Sequence, residues 1–350
     1  MKNKYKKFGP FKINDSYPII IAEAGVNHEG KFKDAVKLIK FAKKAGADAI
    51  KFQTYKASEI AIENSPAYWD TKKEKTKNQK KLFSKFDKLN FKDYKNLYQI
   101  SKKLDIEFMT TLFSEDAVKK YGKLIRLIKV ASADITNVPL LKEISKLNKP
   151  VIISTGASNI AEIKNALKIL NLPKSKICIM HCVLNYPTVE SNANLAFIKV
   201  LKKIFKGYLI GYSDHTIPKD NILSLQVAWE NGAQIIEKHF TLDKKKKGND
   251  HYHAMSYTDL INFKKILSEK IKLQGNGKKN LRIENDSILF ARRSIVAKKN
   301  ILKGEIFSSK NLTGKRPGIY TPIKQWDKFI GKKANKNINE DEPIMKSHIM

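Results

Sequence analysis

From the N-terminus to about residue 275, short apolar runs rich in β-branched residues alternate with longer stretches of helical period. The runs are "YPIIIAEAG" (17–25), "AIKFQTY" (49–55), "EFMTTLF" (107–113), "LIKVAS" (127–132), "PVIIST" (150–155), "ICIMHCV" (177–183), "YLIGYSD" (208–214) and "QIIEKHF" (234–240). Each has the length of a strand and is apolar at most positions rather than at every second one. Strands buried on both faces of a parallel sheet read this way. The stretches between them include "KFKDAVKLIKFAKKAG" (31–46), "VPLLKEISKLN" (138–148) and "NILSLQVAWENGA" (221–233), with apolar residues at i, i+3, i+4 and i+7. Gly46 and Gly232 stand where two of these helices should stop. Eight strand–helix units in this length predict an α/β fold, a (β/α)₈ (TIM) barrel. An open doubly wound sheet is the alternative. Its glycine-rich first turn is missing, because the first strand runs into "AEAGVNHEGKF" rather than G-x-G-x-x-G. "GNGKKN" (275–280) has glycines but no strand before it, and no Walker-type phosphate loop occurs.

The apolar period is lost over 276–290 and a different pattern begins at 291. Turn signals ("LKGE", "KRPG", "NEDEP") recur every few residues, which predicts short strands in a small β-rich domain. The expected organisation is a barrel over 1–280, a linker over 281–290 and a β-rich domain over 291–350.

Catalytic groups of such barrels gather at the C-terminal ends of the strands. Read in order, those ends carry Glu23; Lys51 and Gln53; Thr110 and Thr111; Lys129 and Ser132; Ser154 and Thr155; His181, Asn185 and Tyr186; Ser213, Asp214 and His215; Glu237, Lys238 and His239. A serine or threonine there can simply cap the next helix. A lysine inside an apolar strand is harder to explain so, because an unpaired buried ammonium costs several kcal/mol. Lys51 and Lys129 are therefore expected to face one shared anion. With nearby hydroxyls they suit a phosphate and a carboxylate. His215 and His239, ending adjacent strands, suit a divalent metal with open coordination positions. Glu23 is placed to be an acid, a base or a partner of a sugar hydroxyl. His251 and His253 follow in the loop "KKKKGNDHYHAM", where a bracing role is expected for both.

Composition narrows the class. Hydrophobic residues make up 42% of the chain, ordinary for a folded protein, and no apolar run reaches membrane-spanning length. The basic N-terminus lacks a signal peptide's apolar stretch, so a cytoplasmic enzyme is expected. Cys178 and Cys182 on one strand would lie about 13 Å apart at roughly 3.3 Å per residue, too far for a disulfide. The net charge of +34 invites a nucleic-acid partner. Almost all of it is lysine, spread over every predicted helix, whereas base readout favours arginine. A solvated lysine-rich surface that attracts an anionic small substrate is the expectation, with no nucleic-acid or membrane partner.

The motifs "IAEAGVNHEG", "KFQTY", "TTLFS", "IKVAS", "STGAS", "NYPT", "IGYSDHT", "EKHFT" and "KRPG", in this order along the whole chain, resemble the N-acetylneuraminate (sialic acid) synthase family. The resemblance implies a (β/α)₈ barrel followed by an antifreeze-like (SAF) domain, in a domain-swapped homodimer. It implies condensation of phosphoenolpyruvate with the open-chain aldehyde of an N-acylated amino sugar, assisted by Mn²⁺, with Mg²⁺ or Co²⁺ as alternatives. It assigns phosphoenolpyruvate to Lys51, Thr111, Lys129, Ser132, Ser154, Asn185 and Ser213, with Thr110 beside them. It assigns metal to His215 and His239, and the sugar to Glu23, Gln53, Tyr186, Asp250 and the partner chain's copy of Arg316. Glu237 would stand beside the reacting carbons. The acceptor stays open between N-acetylmannosamine, a diacetamido sugar leading to legionaminic or pseudaminic acid, and a 6-phosphorylated sugar. A catalytically dead scaffold is the non-enzymatic alternative, and the intact set of Glu23, Lys51, Lys129, His215 and His239 speaks against it.

Overall fold

The computed structural model describes residues 6–14, 16–219, 222–248 and 250–350, and the statements below refer to these. Of the expected features, residues 1–5 of the basic N-terminus, Asn221 at the start of a predicted helix and Asn249 in the histidine-bearing loop lie outside them. The chain divides into two compact units, Met1–Leu273 and Gln274–Met350.

The first unit is a closed barrel of parallel strands in sequence order. Its staves are β3 (Ile19–Gly25), β4 (Ala49–Thr54), β5 (Glu107–Leu112), β6 (Ile128–Val130), β7 (Val151–Ser154), β8 (Ile177–Cys182), β9 (Leu209–Asp214) and β10 (Ile235–His239), with β10 pairing back onto β3. Each coincides with one of the apolar runs. An antiparallel hairpin precedes the barrel, β1 (Lys6–Phe8) and β2 (Phe11–Ile13). It was not foreseen, because strands of three residues are too short to show a period.

Helices link the staves, and their sequences explain where they lie. Helix α1 (Phe32–Lys44) buries Ala35, Leu38, Ile39 and Ala42, an i, i+3, i+4, i+7 stripe. Helix α4 (Phe91–Lys103) starts with a capping box between Asn90 and Asp93, and α7 (Ile160–Leu170) with one between Asn159 and Glu162. Asn159 thus takes the cap that Ser154 or Thr155 could otherwise have supplied. Helices α2 (Ala57–Ile60), α3 (Gln79–Phe86), α5 (Glu115–Tyr121), α6 (Val138–Lys146), α8 (Phe197–Ile204), α9 (Leu223–Glu230) and α10 (Tyr257–Gln274) complete the ring.

Strand side chains alternate between two faces, and this sorts the core. Residues of one parity, such as Ile20, Ala22, Ile50, Phe52, Ile128, Ile153 and Ile236, pack against the helices. Those of the other parity point inward. Near the strand starts they are apolar: Ile21, Ala49, Met109, Leu127, Ile152, Cys178 and Ile235 form one buried cluster with Phe8, Phe11 and Ile13 of the hairpin. The hairpin is therefore packed against the barrel's interior at the N-terminal ends of its strands. Further along the same inward rows the residues become polar, and there the site forms.

The second unit contains an antiparallel pair, β11 (Ser294–Ala297) and β12 (Leu312–Lys315), with further isolated bridges. A core of Ile295, Ala297, Ile301, Phe307, Leu312, Phe329, Ala334, Ile338 and Ile344 holds it together. The segment expected as a linker contains two short helical turns, Leu281–Glu284 and Ser287–Ala291.

Candidate active site

At the C-terminal end of the barrel one cavity is lined by Glu23, Lys51, Gln53, Thr111, Lys129, Ser132, Ser154, Tyr186, Ser213, His215, Glu237 and His239, together with Phe113, Ala131 and Cys182. A second cavity shares Gln53, Tyr186 and His239 with it and adds Asp250, Tyr55 and Tyr68. The inward parity of each stave selects these residues. On β10, Glu237 and His239 enter the cavity while Lys238 between them turns outward. There it pairs with outward Asp214 at 2.6 Å and donates to the Thr216 carbonyl at 2.7 Å. This buried pair, joined by Tyr212, Thr216 and Ser224, is a brace behind the barrel wall. His181, also outward, bonds the Ala193 carbonyl at 2.8 Å.

Two expected binding residues lie elsewhere. Thr110 has the parity opposite to Thr111, and its hydroxyl meets that of Thr54 at 2.6 Å in the helical layer. It cannot reach the cavity that Thr111 lines, and its assignment is corrected. Asn185 is exposed on the loop after β8, where its amide donates to the Val183 carbonyl at 2.9 Å. Its neighbour Tyr186 lines the cavity, and Asn185 stands beside it on the exposed side of the loop. Arg316 is exposed in the second unit, at a cis Arg316–Pro317 bond.

The charged groups form one network. Lys51 is ion-paired with Glu23 and donates to Thr111 Oγ1 at 3.0 Å. Its ammonium is 3.7 Å from Glu237 Oε1, and that of Lys129 is 3.3 Å from the same oxygen. Ser213 donates to Glu237 Oε1 at 3.3 Å, and Gln53 to Glu23 Oε1 at 3.2 Å. Both lysines are at most 3% exposed. The carboxyls are pushed apart in acidity. Burial, aided by the charge of Glu237, outweighs Lys51 and raises Glu23 to about 7. Burial also opposes ionisation of Glu237, yet Lys129 and Lys51 overcome it and hold that carboxyl below its usual range. Two carboxyls separated in this way can divide the work, one carrying a proton and the other a fixed charge. Ser154 Oγ and Glu237 Oε2 are buried without a hydrogen-bond partner, which marks where a ligand's polar groups are expected.

Gly25 borders the same space. Its φ of +50° lies in the left-handed region, and a Cβ there would stand 3.3 Å from Glu23 Oε1 and 3.5 Å from Asp250 Oδ2. Glycine thus permits both the bulged end of β3 and the approach of the two carboxylates.

The imidazoles sit on the other side of the cavity. His215 bonds the Val183 carbonyl through Nδ1 at 2.8 Å, which leaves Nε2 as its free ligand atom, and Cys182 Sγ lies 3.8 Å from the same Nδ1. The rings of His215 and His239 are 5.5 Å apart. Among the described residues, His239, Asp250 and His253 form the group with metal-ligand spacing, their ligand atoms all within 4.8 Å of one another. His239 Nδ1 and both nitrogens of His253 are buried with no hydrogen-bond partner. Burial and the neighbouring imidazoles keep His239 and His253 well below the usual histidine range, hence neutral. Unprotonated buried nitrogens beside a carboxylate fit a divalent transition ion. His251 does brace the loop, bonding Thr241 Oγ1 at 2.7 Å and lying 3.5 Å from Glu29. His253 does not, which sequence reasoning missed. Cys182 was also missed, although Cys178, Met180 and Cys182 follow the inward period of two.

A barrel with this lysine–glutamate network at the C-terminal strand ends has its charged groups where enzymes of this fold carry their active sites. The chain belongs to the NeuB family, which it matches over residues 38–279, and residues 292–350 match the SAF domain. It is 40% identical over 333 residues to the N,N'-diacetyllegionaminic acid synthase of Campylobacter jejuni, covering 93% of this chain and 98% of that protein. It is 32% identical to the N-acetylneuraminate-9-phosphate synthase of Drosophila melanogaster, covering 97% of each. Among solved structures it resembles the N-acetylneuraminic acid synthetase of Leptospira borgpetersenii, with a TM-score of 0.71 at 32% identity over 82% of this chain and 95% of that one. The chain is thus a synthase of this family, a barrel enzyme that forms carbon–carbon bonds.

Proposed function

We propose that the protein condenses phosphoenolpyruvate with the aldehyde of an N-acylated amino sugar, releasing phosphate and forming a nonulosonic acid. The observation that carries this reading is the convergence of Lys51 and Lys129 on Glu237, beside Thr111, Ser132, Ser154 and Ser213. Two ammonium groups and four hydroxyls suit the phosphate and carboxylate of phosphoenolpyruvate. They also stabilise the phosphate dianion as it leaves. C3 of phosphoenolpyruvate attacks the aldehyde carbon, and positive charge develops at C2. Ionised Glu237 is the fixed negative charge that stabilises it. Water adds at C2, and C–O cleavage leaves the C2 ketone and expels phosphate; of the two protons the water gives up, one departs with the phosphate and the other restores the proton that Glu23 donates. The aldehyde oxygen becomes a hydroxyl and needs a proton, which Glu23, protonated below about 7, is suited to supply. Gln53, Tyr186 and Asp250 border the adjoining space where the sugar chain would lie. His239, with His215 and Asp250 nearby, would hold a divalent ion such as Mn²⁺, whose chemistry there would be Lewis acidity toward the aldehyde oxygen.

A second reading of the acceptor has its own support. The 40% identity to a diacetyllegionaminic acid synthase favours a 2,4-diacetamido sugar at least as well as N-acetylmannosamine. We further propose a swapped homodimer, in which Arg316 of one chain reaches the sugar in the other, and action in the reducing cytoplasm, which suits the free Cys178 and Cys182. The deciding assay is phosphate release from phosphoenolpyruvate across a panel of amino sugars, with each product identified by mass spectrometry. No release with any N-acylated amino sugar, from metal-loaded protein, would reject the reading.

A further inference from the structure

From the packing of the loop after β10, we infer that His253 is a metal ligand, forming with His239 and Asp250 the cage that holds the divalent ion. The loop is built to place it. Its returning end is tied along β10: the Met255 amide donates to the His239 carbonyl at 2.7 Å, and the Thr241 amide to the Met255 carbonyl at 2.9 Å. Asn27 Nδ2 donates to the Phe240 carbonyl at 3.0 Å and reaches the Asp250 carbonyl at 3.5 Å, pinning both ends together. This register sets the ring of His253 4.8 Å from that of His239. A bracing histidine would use its nitrogens in the loop, as His251 does. Both nitrogens of His253 are instead buried and unpartnered, as is Nδ1 of His239, and Asp250 Oδ2 lies 3.6 Å from that atom.

An unmet buried polar atom costs about 1–3 kcal/mol, and one ion can satisfy Nδ1 of His239 together with one of the two nitrogens of His253. Ligands bound at about 2.0–2.2 Å stand no more than about 4.4 Å apart, so the 4.8 Å limit on this group closes with shifts of a few tenths of an ångström. Two imidazoles and one carboxylate select a first-row transition ion over Mg²⁺, and leave positions open for substrate oxygens. His215, its ring 5.5 Å from that of His239 and 6.4 Å from that of His253, faces the same space with Nε2 free.

The inference deepens the proposed synthase reading, which uses such an ion, but its test contains neither phosphoenolpyruvate nor sugar. The full-length protein, stripped with chelator, is titrated with Mn²⁺ while free Mn²⁺ is followed by electron paramagnetic resonance. His253→Phe keeps the ring volume and removes the ligand. It should weaken Mn²⁺ binding by at least the roughly 10–100-fold that loss of even an outer-shell partner produces, with an unchanged unfolding midpoint. His253→Gln, which retains a donor atom, serves if the Phe variant misfolds, and its Mn²⁺ affinity should also fall. His251→Ala, which loosens the brace without removing a ligand, should leave the number of directly bound nitrogens unchanged. Pulsed resonance of bound Mn²⁺ should show one directly bound nitrogen fewer in the folded His253 variant. Wild-type affinity and nitrogen count in that variant overturn the inference. So does a preference of the wild type for Mg²⁺, or its failure to bind Mn²⁺. Protein that binds Mn²⁺ through His253 yet releases no phosphate would instead refute the synthase reading and leave the cage standing.

Discussion

Replacing Lys129 with Met tests the anion-binding half of the site directly. The Lys129 ammonium is 3.3 Å from Glu237 Oε1 with both side chains at most 6% exposed. At that distance the bare attraction is about 5 kcal/mol for an effective dielectric of 20, most of it offset by the cost of burying the two charges. Met keeps the length and apolar stem, so no cavity opens. Breaking a buried pair usually costs about 3–5 kcal/mol of stability. Here Lys51 at 3.7 Å and Ser213 at 3.3 Å still hold Glu237, so the loss should fall below that range. Towards phosphoenolpyruvate the variant loses one charged contact, worth about 1.5–3 kcal/mol, or roughly 10- to 150-fold. In steady-state phosphate-release kinetics, KM for phosphoenolpyruvate should rise by that factor at saturating sugar. KM for the sugar should stay within about threefold at saturating phosphoenolpyruvate. A variant that raises only the sugar KM, or neither, would show that Lys129 does not face the phosphate or carboxylate.

Further expectations follow from the same geometry. Because the Glu23 carboxyl is raised from 4.5 to about 7, a step that uses its proton should slow as pH rises through about 7. The folded state holds that proton while the unfolded chain has released it, so stability should also fall as pH rises across this window. Glu23→Gln should remove both dependences from the kcat/KM profile and from the unfolding midpoint, and a profile unchanged in shape would assign the ionisation elsewhere. Exhaustive chelation should abolish turnover and added Mn²⁺ restore it; full activity in protein shown by elemental analysis to be metal-free would end the metal role. Gly25→Ala should cost about 1–2 kcal/mol for its left-handed backbone and lower kcat, since the new Cβ crowds Glu23 and Asp250; wild-type kcat and unfolding midpoint would contradict the role argued for this glycine. Mixing Arg316→Ala with Glu23→Ala chains should restore partial activity if the sites are shared between chains, whereas two inactive parents that exchange subunits and gain nothing would rule out sharing.

What the sequence determined by itself is whatever depends on local period. Runs apolar at nearly every position announced buried parallel strands, the i, i+3, i+4 stripes announced the helices, and their alternation announced the barrel. The strand-end polar residues were legible for the same reason. Strict use of the two-residue period would also have separated Thr111 from Thr110 and Glu237 and His239 from Lys238, since neighbours on a strand face opposite sides. The tertiary structure alone decided the rest. The hairpin under the barrel contributes Phe8, Phe11 and Ile13 to a core whose other members come from strands far along the chain. Glu23 and Glu237 owe their opposite acidities to one burial environment shared with lysines from β4 and β6. His251 and His253 are two residues apart and chemically identical, yet one bonds Thr241 and the other faces His239 and Asp250. Nothing local distinguishes them. The turn over 250–253 does, because it breaks the two-residue alternation of an extended strand before the chain is tied back onto β10 at Met255.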